Sequence, residues 1–168
     1  MFNKSLILIG MPGAGKSTLG ILLAKSLAKD FVDTDLLIQL QHHTTLQDIV
    51  NTQGYLALRD IEEQVILGTH YPNHIIATGG SVVYSAKAMQ HLQQYGHIIF
   101  LDVSLKELTA RVNDIETRGL ARKPNQSFEE LYNERRTLYQ QYSTITIDCN
   151  GKSHGQILEE IIYCSTPL

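Results

Sequence analysis

Basic charge is scarce in this chain of 168 residues, and cysteine, proline and long apolar runs are scarcer still. Fourteen Lys and Arg stand against seventeen Asp and Glu, a formal charge of −3 with an isoelectric point near 6.1. No basic surface large enough to track a nucleic-acid backbone is therefore expected. The longest apolar runs, Leu6 to Ile9 among them, fall far short of the roughly 20 residues that span a bilayer, so no membrane segment is expected. No small-residue cleavage site follows Met1 to Lys4, and the protein is read as cytoplasmic rather than exported. Cys149 and Cys164 lack metal-type spacing and are read as reduced thiols. His42 and His43 are adjacent, so they cannot offer the paired helical positions a metal site needs. With 43% hydrophobic and 18% charged residues and no proline- or serine-rich tract, the composition is that of one globular domain over 1–168, expected to act as a monomer.

Short apolar runs recur at Leu6 to Ile9, Phe31 to Val32, Ile75 to Ala77, Ile98 to Leu101 and Ile145 to Ile147, with helix-length segments between them. Nearly continuous apolar strands alternating with helices point to an α/β fold, a five-stranded parallel sheet covered on both faces as a three-layer sandwich. Helix starts are marked at Thr45, Ser104, Ser127 and Ser153, each followed three residues later by an acid or glutamine, the pattern of a capping box. Leu46, Ile49 and Val50, and later Ile157, Leu158, Ile161 and Ile162, recur at helical spacing and read as core. The polar stretch 113–126, with Gly119 and Pro124, fits no regular element and reads as a mobile lid.

The segment Gly10-Met-Pro-Gly13-Ala14-Gly15-Lys16-Ser17-Thr18 matches GxxxxGK[ST] between an apolar strand and a helical pattern. Glycines let backbone amides turn inward around phosphate oxygens and the helix N-terminus adds partial positive charge. In that arrangement Lys16 reaches the outer phosphates and the Ser17 hydroxyl is placed for Mg²⁺. ATP with Mg²⁺ is the expected ligand. A chain of this length suits a small kinase, with an acceptor pocket and a cover that excludes water, better than a switch GTPase or a motor.

Asp33 and Asp35, in FVDTD at the end of the second strand run, would project from one side of an extended segment and face the phosphate loop. One carboxylate could support Mg²⁺ while the other orients an acceptor hydroxyl and takes its proton. The same pair could instead cap a helix. Arg59 precedes Glu62 and Glu63 by three and four residues, a spacing that also allows an exposed helical ion pair. Gly79 and Gly80 follow the third strand run, where paired glycines permit close backbone approach to a small ligand. Six of the fourteen cations, Arg111, Arg118, Arg122, Lys123, Arg135 and Arg136, fall between 111 and 136. They read either as a solvated run or as lid arginines that stabilise a transferring phosphoryl group.

Together, the phosphate loop GMPGAGKS, the FVDTD pair, Gly54 with Arg59 and Glu62, ATGG at 77–80 and ERRTLY at 134–139 resemble the shikimate kinase family over nearly the whole chain. The resemblance implies a nucleoside-monophosphate-kinase-like P-loop fold and transfer of the ATP γ-phosphate to the 3-hydroxyl of shikimate. By the same resemblance Lys16 and Ser17 serve ATP and Mg²⁺, Asp33 supports the metal, Asp35 orients the acceptor hydroxyl, and Arg59 and Arg135 bind the acid's carboxylate. Arg111 would stack on adenine, Arg118 would be the lid arginine, and Gly79 and Gly80 would line the acceptor. The chain departs from the family's pattern at Ser81 (usually glycine), Thr137 (usually proline), Tyr55 and Leu58, and in a shortened lid at Arg118-Gly-Leu. The alternative readings are a paralogous kinase for another small hydroxylated acid or metabolite, and a nucleotide-binding regulator without turnover.

Overall fold

The computed structural model describes residues 4–111 and 119–165. Five strands, β1 (Ser5–Ile9), β2 (Asp30–Asp33), β3 (His74–Ala77), β4 (Gly96–Asp102) and β5 (Ile145–Asp148), form one sheet in the order β2-β3-β1-β4-β5. Every pairing is parallel. All five apolar runs thus became strands. Every residue of β1 is buried, so both faces of the sheet centre are covered, which is why these strands read as continuous rather than alternating apolar runs.

Eight α-helices lie among the described residues: α1 (Lys16–Leu27), α2 (Thr34–His42), α3 (Leu46–Gln53), α4 (Tyr55–Leu67), α5 (Ala86–Gln93), α6 (Leu105–Arg111), α7 (Phe128–Tyr142) and α8 (His154–Ser165). A 3-10 turn at Val82–Tyr84 follows β3. No described helix is long and apolar enough to cross a membrane. The four capping signals all mark helix starts, but they close differently. Ser127 and Ser153 make the reciprocal pair with Glu130 and Gln156. Thr45 and Ser104 accept only from the third amide. Asp48 instead accepts from the Thr45 hydroxyl, and Glu107 turns to Gly151 and Arg111.

The chain leaves β1 for one side of the sheet and, after β3, crosses to the other side at β4. That reversal opens a crevice beyond the carboxyl ends of β1 and β3, the usual ligand position in open α/β sheets. A second apolar cluster, Ile38, Ile49, Leu58, Val65 and Ala121, lies apart from the main core. It ties α2, α3 and α4 to the segment beginning at Gly119. Arg59 on α4 and the Ala121 backbone are therefore set by one packing unit.

Candidate active site

The phosphate loop joins β1 to α1 as its sequence pattern requires. Gly13 and Gly15 have φ of 85° and 94°, left-handed values that glycine adopts without penalty, and Gly15 caps α1. Lys16 is buried, and its Nζ donates to the carbonyls of Gly10 at 2.8 Å and Met11 at 3.0 Å. Burial pushes its ammonium down to about 8; Arg135 adds to that shift, while Asp35 and Asp33 oppose it. Removed from water in this way, the ammonium is predisposed toward an anionic ligand.

Asp33 caps a helix and at the same time faces the phosphate loop. Its Oδ1 caps α2 by accepting from the amides of Asp35 at 3.0 Å and Leu36 at 3.4 Å. Its Oδ2 accepts from the Ser17 hydroxyl at 2.5 Å. A hydroxyl and a carboxylate side by side at the mouth of a phosphate loop are the oxygen donors Mg²⁺ takes beside nucleotide phosphates, so these residues fit that ion. The expected geometry of the pair needs correction. The strand ends at Asp33, and Asp35 lies in the first turn of α2, so it is the helix start and not a two-residue strand period that turns both acids toward Lys16.

Asp35 is joined by Glu62 from α4. Burial raises both carboxyls above their usual range; for Glu62 the Asp35 charge adds to the rise, and the Ser81 hydroxyl, which donates to Glu62 Oε2, opposes it. Gly79 fits between them, since a Cβ there would collide with Glu62 Oε1 and Asp35 Oδ1. At Gly80 a Cβ would lie 2.8 Å from Arg135 Nη1 and 3.0 Å from Pro12 Cδ. The Tyr139 hydroxyl holds this loop by donating to the Gly80 carbonyl at 2.6 Å.

Arg59 makes no helical ion pair. Its Nη2 donates to the Ala121 carbonyl at 3.1 Å, and the Nη2 of the buried Arg135 donates to the same oxygen at 2.9 Å. Among the described residues neither guanidinium pairs with a carboxylate, and the Nε of each is buried without a hydrogen-bond partner. Glu63, the other acid in reach along the helix, accepts instead from Ser85.

A cavity of about 700 Å³ has Lys16, Ser17, Asp35, Glu62, Gly80, Arg135 and Arg111 on its wall, while the sequence candidates Gly10, Ala14, Asp33, Arg59 and Gly79 do not line it. The sequence candidates Gly13, Gly15 and Thr18 line it as well. Arg111 stands at its edge, donating to Glu107 at 2.7 Å. Arg118 lies outside the described residues, as does most of the first half of the expected lid. Arg122, Lys123 and Arg136 are engaged elsewhere. Arg136 grips both oxygens of Asp102 at 3.1 and 2.6 Å, Lys123 pairs with Glu134, and Arg122 donates to the Gln126 carbonyl. Sequence reasoning assigned no site role to Glu62 beyond its place in the family pattern. It assigned none to Tyr84 or to the Ala121 carbonyl, whose part is a backbone atom's and carries no residue signal.

The family model for shikimate kinase matches residues 12–165. The chain is 31% identical to the shikimate kinase of Sulfurihydrogenibium sp. (strain YO3AOP1) over 160 residues, covering 95% of this chain and 96% of that one. It is 33% identical to that of Persephonella marina over 162 residues, covering 95% and 97%. Among solved structures, shikimate kinase from Acinetobacter baumannii in complex with shikimate superposes with a TM-score of 0.87 at 26% identity, over 97% of this chain and 93% of that one. A gluconokinase from Sinorhizobium meliloti, at 17% identity and a TM-score of 0.53, shares the fold alone. The phosphate loop, the acids Asp35 and Glu62 and the Arg135 guanidinium line one cavity, with Arg59 bonded to the same carbonyl as Arg135, on a chain that matches the shikimate kinase family model from the loop to the last helix, and the protein belongs to the shikimate kinase family.

Proposed function

We propose that this protein transfers the γ-phosphoryl group of ATP to the 3-hydroxyl of shikimate. The observation that carries the acceptor half is the pair Arg59 and Arg135, two guanidiniums directed at one oxygen with no carboxylate partner among the described residues. Planar guanidiniums suit bidentate recognition of a carboxylate, and removing such cations from water is costly unless an anion meets them. Shikimate supplies that carboxylate together with hydroxyls.

The residues divide the work. The loop amides from Gly10 to Thr18, with Ala14 among them, and the Lys16 ammonium cradle the phosphates, and Arg111 packs on the adenine side. Ser17 and Asp33 would hold Mg²⁺, which neutralises charge on the outer phosphates. Gly79 and Gly80 let the acceptor approach the backbone. Asp35 orients the acceptor hydroxyl and takes its proton as the oxygen–phosphorus bond forms and the bond to ADP breaks. Arg118, carried on the lid, would stabilise the transferring group. Burial of Asp35 suits a base, because a carboxyl raised toward the working pH accepts a proton more readily.

Another small hydroxylated acid as acceptor is not favoured, since the relatives matched over nearly their full length are shikimate kinases. We also assign the reaction to the cytoplasm, a reading supported by the free thiols Cys149 and Cys164, and to a monomer. A coupled ADP-release assay over a panel of hydroxy acids tests the reading. Turnover with shikimate and loss of it with shikimate carboxamide are expected; equal use of the two would remove the carboxylate pocket.

A further inference from the structure

Arg59 is an unusual acceptor arginine in having so little to hold it. Among the described residues it makes one side-chain hydrogen bond, to a backbone carbonyl, its Nε has no partner, and no carboxylate fixes the plane of its guanidinium. A long side chain with four rotatable bonds needs a restraint to meet a ligand in one orientation.

The restraint is aromatic. Arg59 Cζ lies 3.5 Å from the centroid of the Tyr84 ring, while Tyr55, on its own helix, is farther at 5.1 Å. Arg135 Cζ lies 5.5 Å from the same Tyr84 ring, so one ring faces both guanidiniums. The ring is itself fixed at two ends. Tyr84 closes the 3-10 turn that follows Gly79-Gly80-Ser81, its amide donating to the Ser81 carbonyl at 3.0 Å, and the two preceding valines are buried. At the other end its hydroxyl donates to Glu134 Oε1 at 2.6 Å. Glu134 Oε2 in turn accepts from Gln126 Nε2 at 2.9 Å and pairs with Lys123.

We propose that Tyr84 is the positioning residue of the acceptor pocket, its ring holding the Arg59 guanidinium in the plane in which it meets the substrate's carboxylate. A ring supplies attraction to a cation without competing for its N–H groups. An acidic partner would satisfy Arg59 and weaken its hold on a ligand; a ring leaves the donors available. Glu134 then bonds to the ring's hydroxyl and, among the described residues, forms no ion pair with either arginine, although its charge still reaches Arg59. The proposal rests on the reading of Arg59 as a carboxylate ligand.

The test compares Tyr84→Leu and Tyr84→Phe in the full-length protein. Tyr84→Leu should raise the KM for shikimate by about tenfold, with kcat and the KM for ATP changed less than about twofold. Tyr84→Phe, which keeps the ring and loses the Glu134 bond, should stay within about threefold of wild type in every constant. In an Arg59→Ala background, Tyr84→Leu should add no further rise, because its effect passes through Arg59. Arginine Nε–Hε NMR spectra read the geometry without substrate. One resonance should carry a ring-current shift in wild type and Tyr84→Phe and lose it in Tyr84→Leu. Tyr84→Phe as impaired as Tyr84→Leu, a full KM effect in the Arg59→Ala background, or no ring-shifted resonance in wild type would each overturn the proposal. Absence of shikimate turnover in wild type would instead defeat the functional reading, and the NMR arm would still decide whether Tyr84 holds Arg59.

Discussion

Arg59 and Arg135, 76 positions apart in the sequence, donate to one oxygen, the carbonyl of Ala121, at 3.1 and 2.9 Å. A carbonyl oxygen offers two lone pairs to a set of donors that could serve a carboxylate's four acceptor sites. A carboxylate bound here would therefore engage donors that the carbonyl leaves underused. Replacing either arginine with Ala is expected to raise the KM for shikimate by about ten- to a hundredfold, on the order of 1.4 to 3 kcal/mol. Since both hold one group, the double variant should lose less than the sum. Steady-state kinetics with shikimate and its carboxamide check this: the carboxamide should lose little further in the double variant.

Among the described residues the Lys16 ammonium donates only to loop carbonyls, and the residue is buried. Lys16→Met keeps the aliphatic stem and removes the charge. The fold should survive, as far-UV circular dichroism would show, while turnover falls by about 2.7 to 4 kcal/mol of transition-state stabilisation, by analogy with loss of a single anion-stabilising donor. Turnover within threefold of wild type would mean the ammonium does not meet the phosphates.

Much of this was legible in the sequence because it rests on local patterns. The phosphate loop is contiguous, two of its glycines take left-handed φ, and the apolar runs of the three central strands are buried. The acids were harder. Asp33 and Asp35 were identified, but the turn from strand to helix between them follows from the Asp33 cap, which competes with strand continuation at that residue. The arginine pair could be matched by family pattern, yet nothing local says that α4 and α7 bring them together. That convergence runs through the 3-10 turn at Val82–Tyr84, which touches both helices, and through the Ala121 carbonyl that both arginines share. Tyr84 was silent, and Glu62 was present only in the family pattern, for the same reason: a ring under a cation and an acid beside another acid are tertiary facts.

Asp35, as the proton acceptor, must be ionised to act. Burial lifts its carboxyl to about 6, so kcat/KM for shikimate should fall as pH drops through that value, and hold above it. Asp35→Asn should lose about 10²- to 10⁴-fold in kcat, leave nucleotide affinity within a few-fold, and show no acid limb. Nucleotide binding measured by calorimetry across pH 5 to 8 separates the two effects. A parallel loss of nucleotide affinity would assign Asp35 to the metal or to the helix start.

Glu62 carries the same burial without the catalytic duty. Its carboxyl is raised to about 7, first by burial and then by the Asp35 charge, against the opposing Ser81 hydroxyl. A raised acid pKa means the folded protein binds this proton more tightly than the unfolded chain does between an unfolded value near 4.3 and the folded value. The unfolding free energy should therefore decline as pH rises through that window and level off above about 7. Glu62→Gln removes the ionisation and keeps a carbonyl oxygen for the Ser81 hydroxyl. The stability difference, variant minus wild type, should grow in the variant's favour from pH 5 to pH 8, by up to about 3 kcal/mol. Because the two carboxylates repel, loss of the Glu62 charge also eases ionisation of Asp35, and the difference reports Glu62 together with that coupling. Urea unfolding of the two at pH 5, 6.5 and 8 measures it, and a gap that stayed constant across the three would show that Glu62 is ionised throughout.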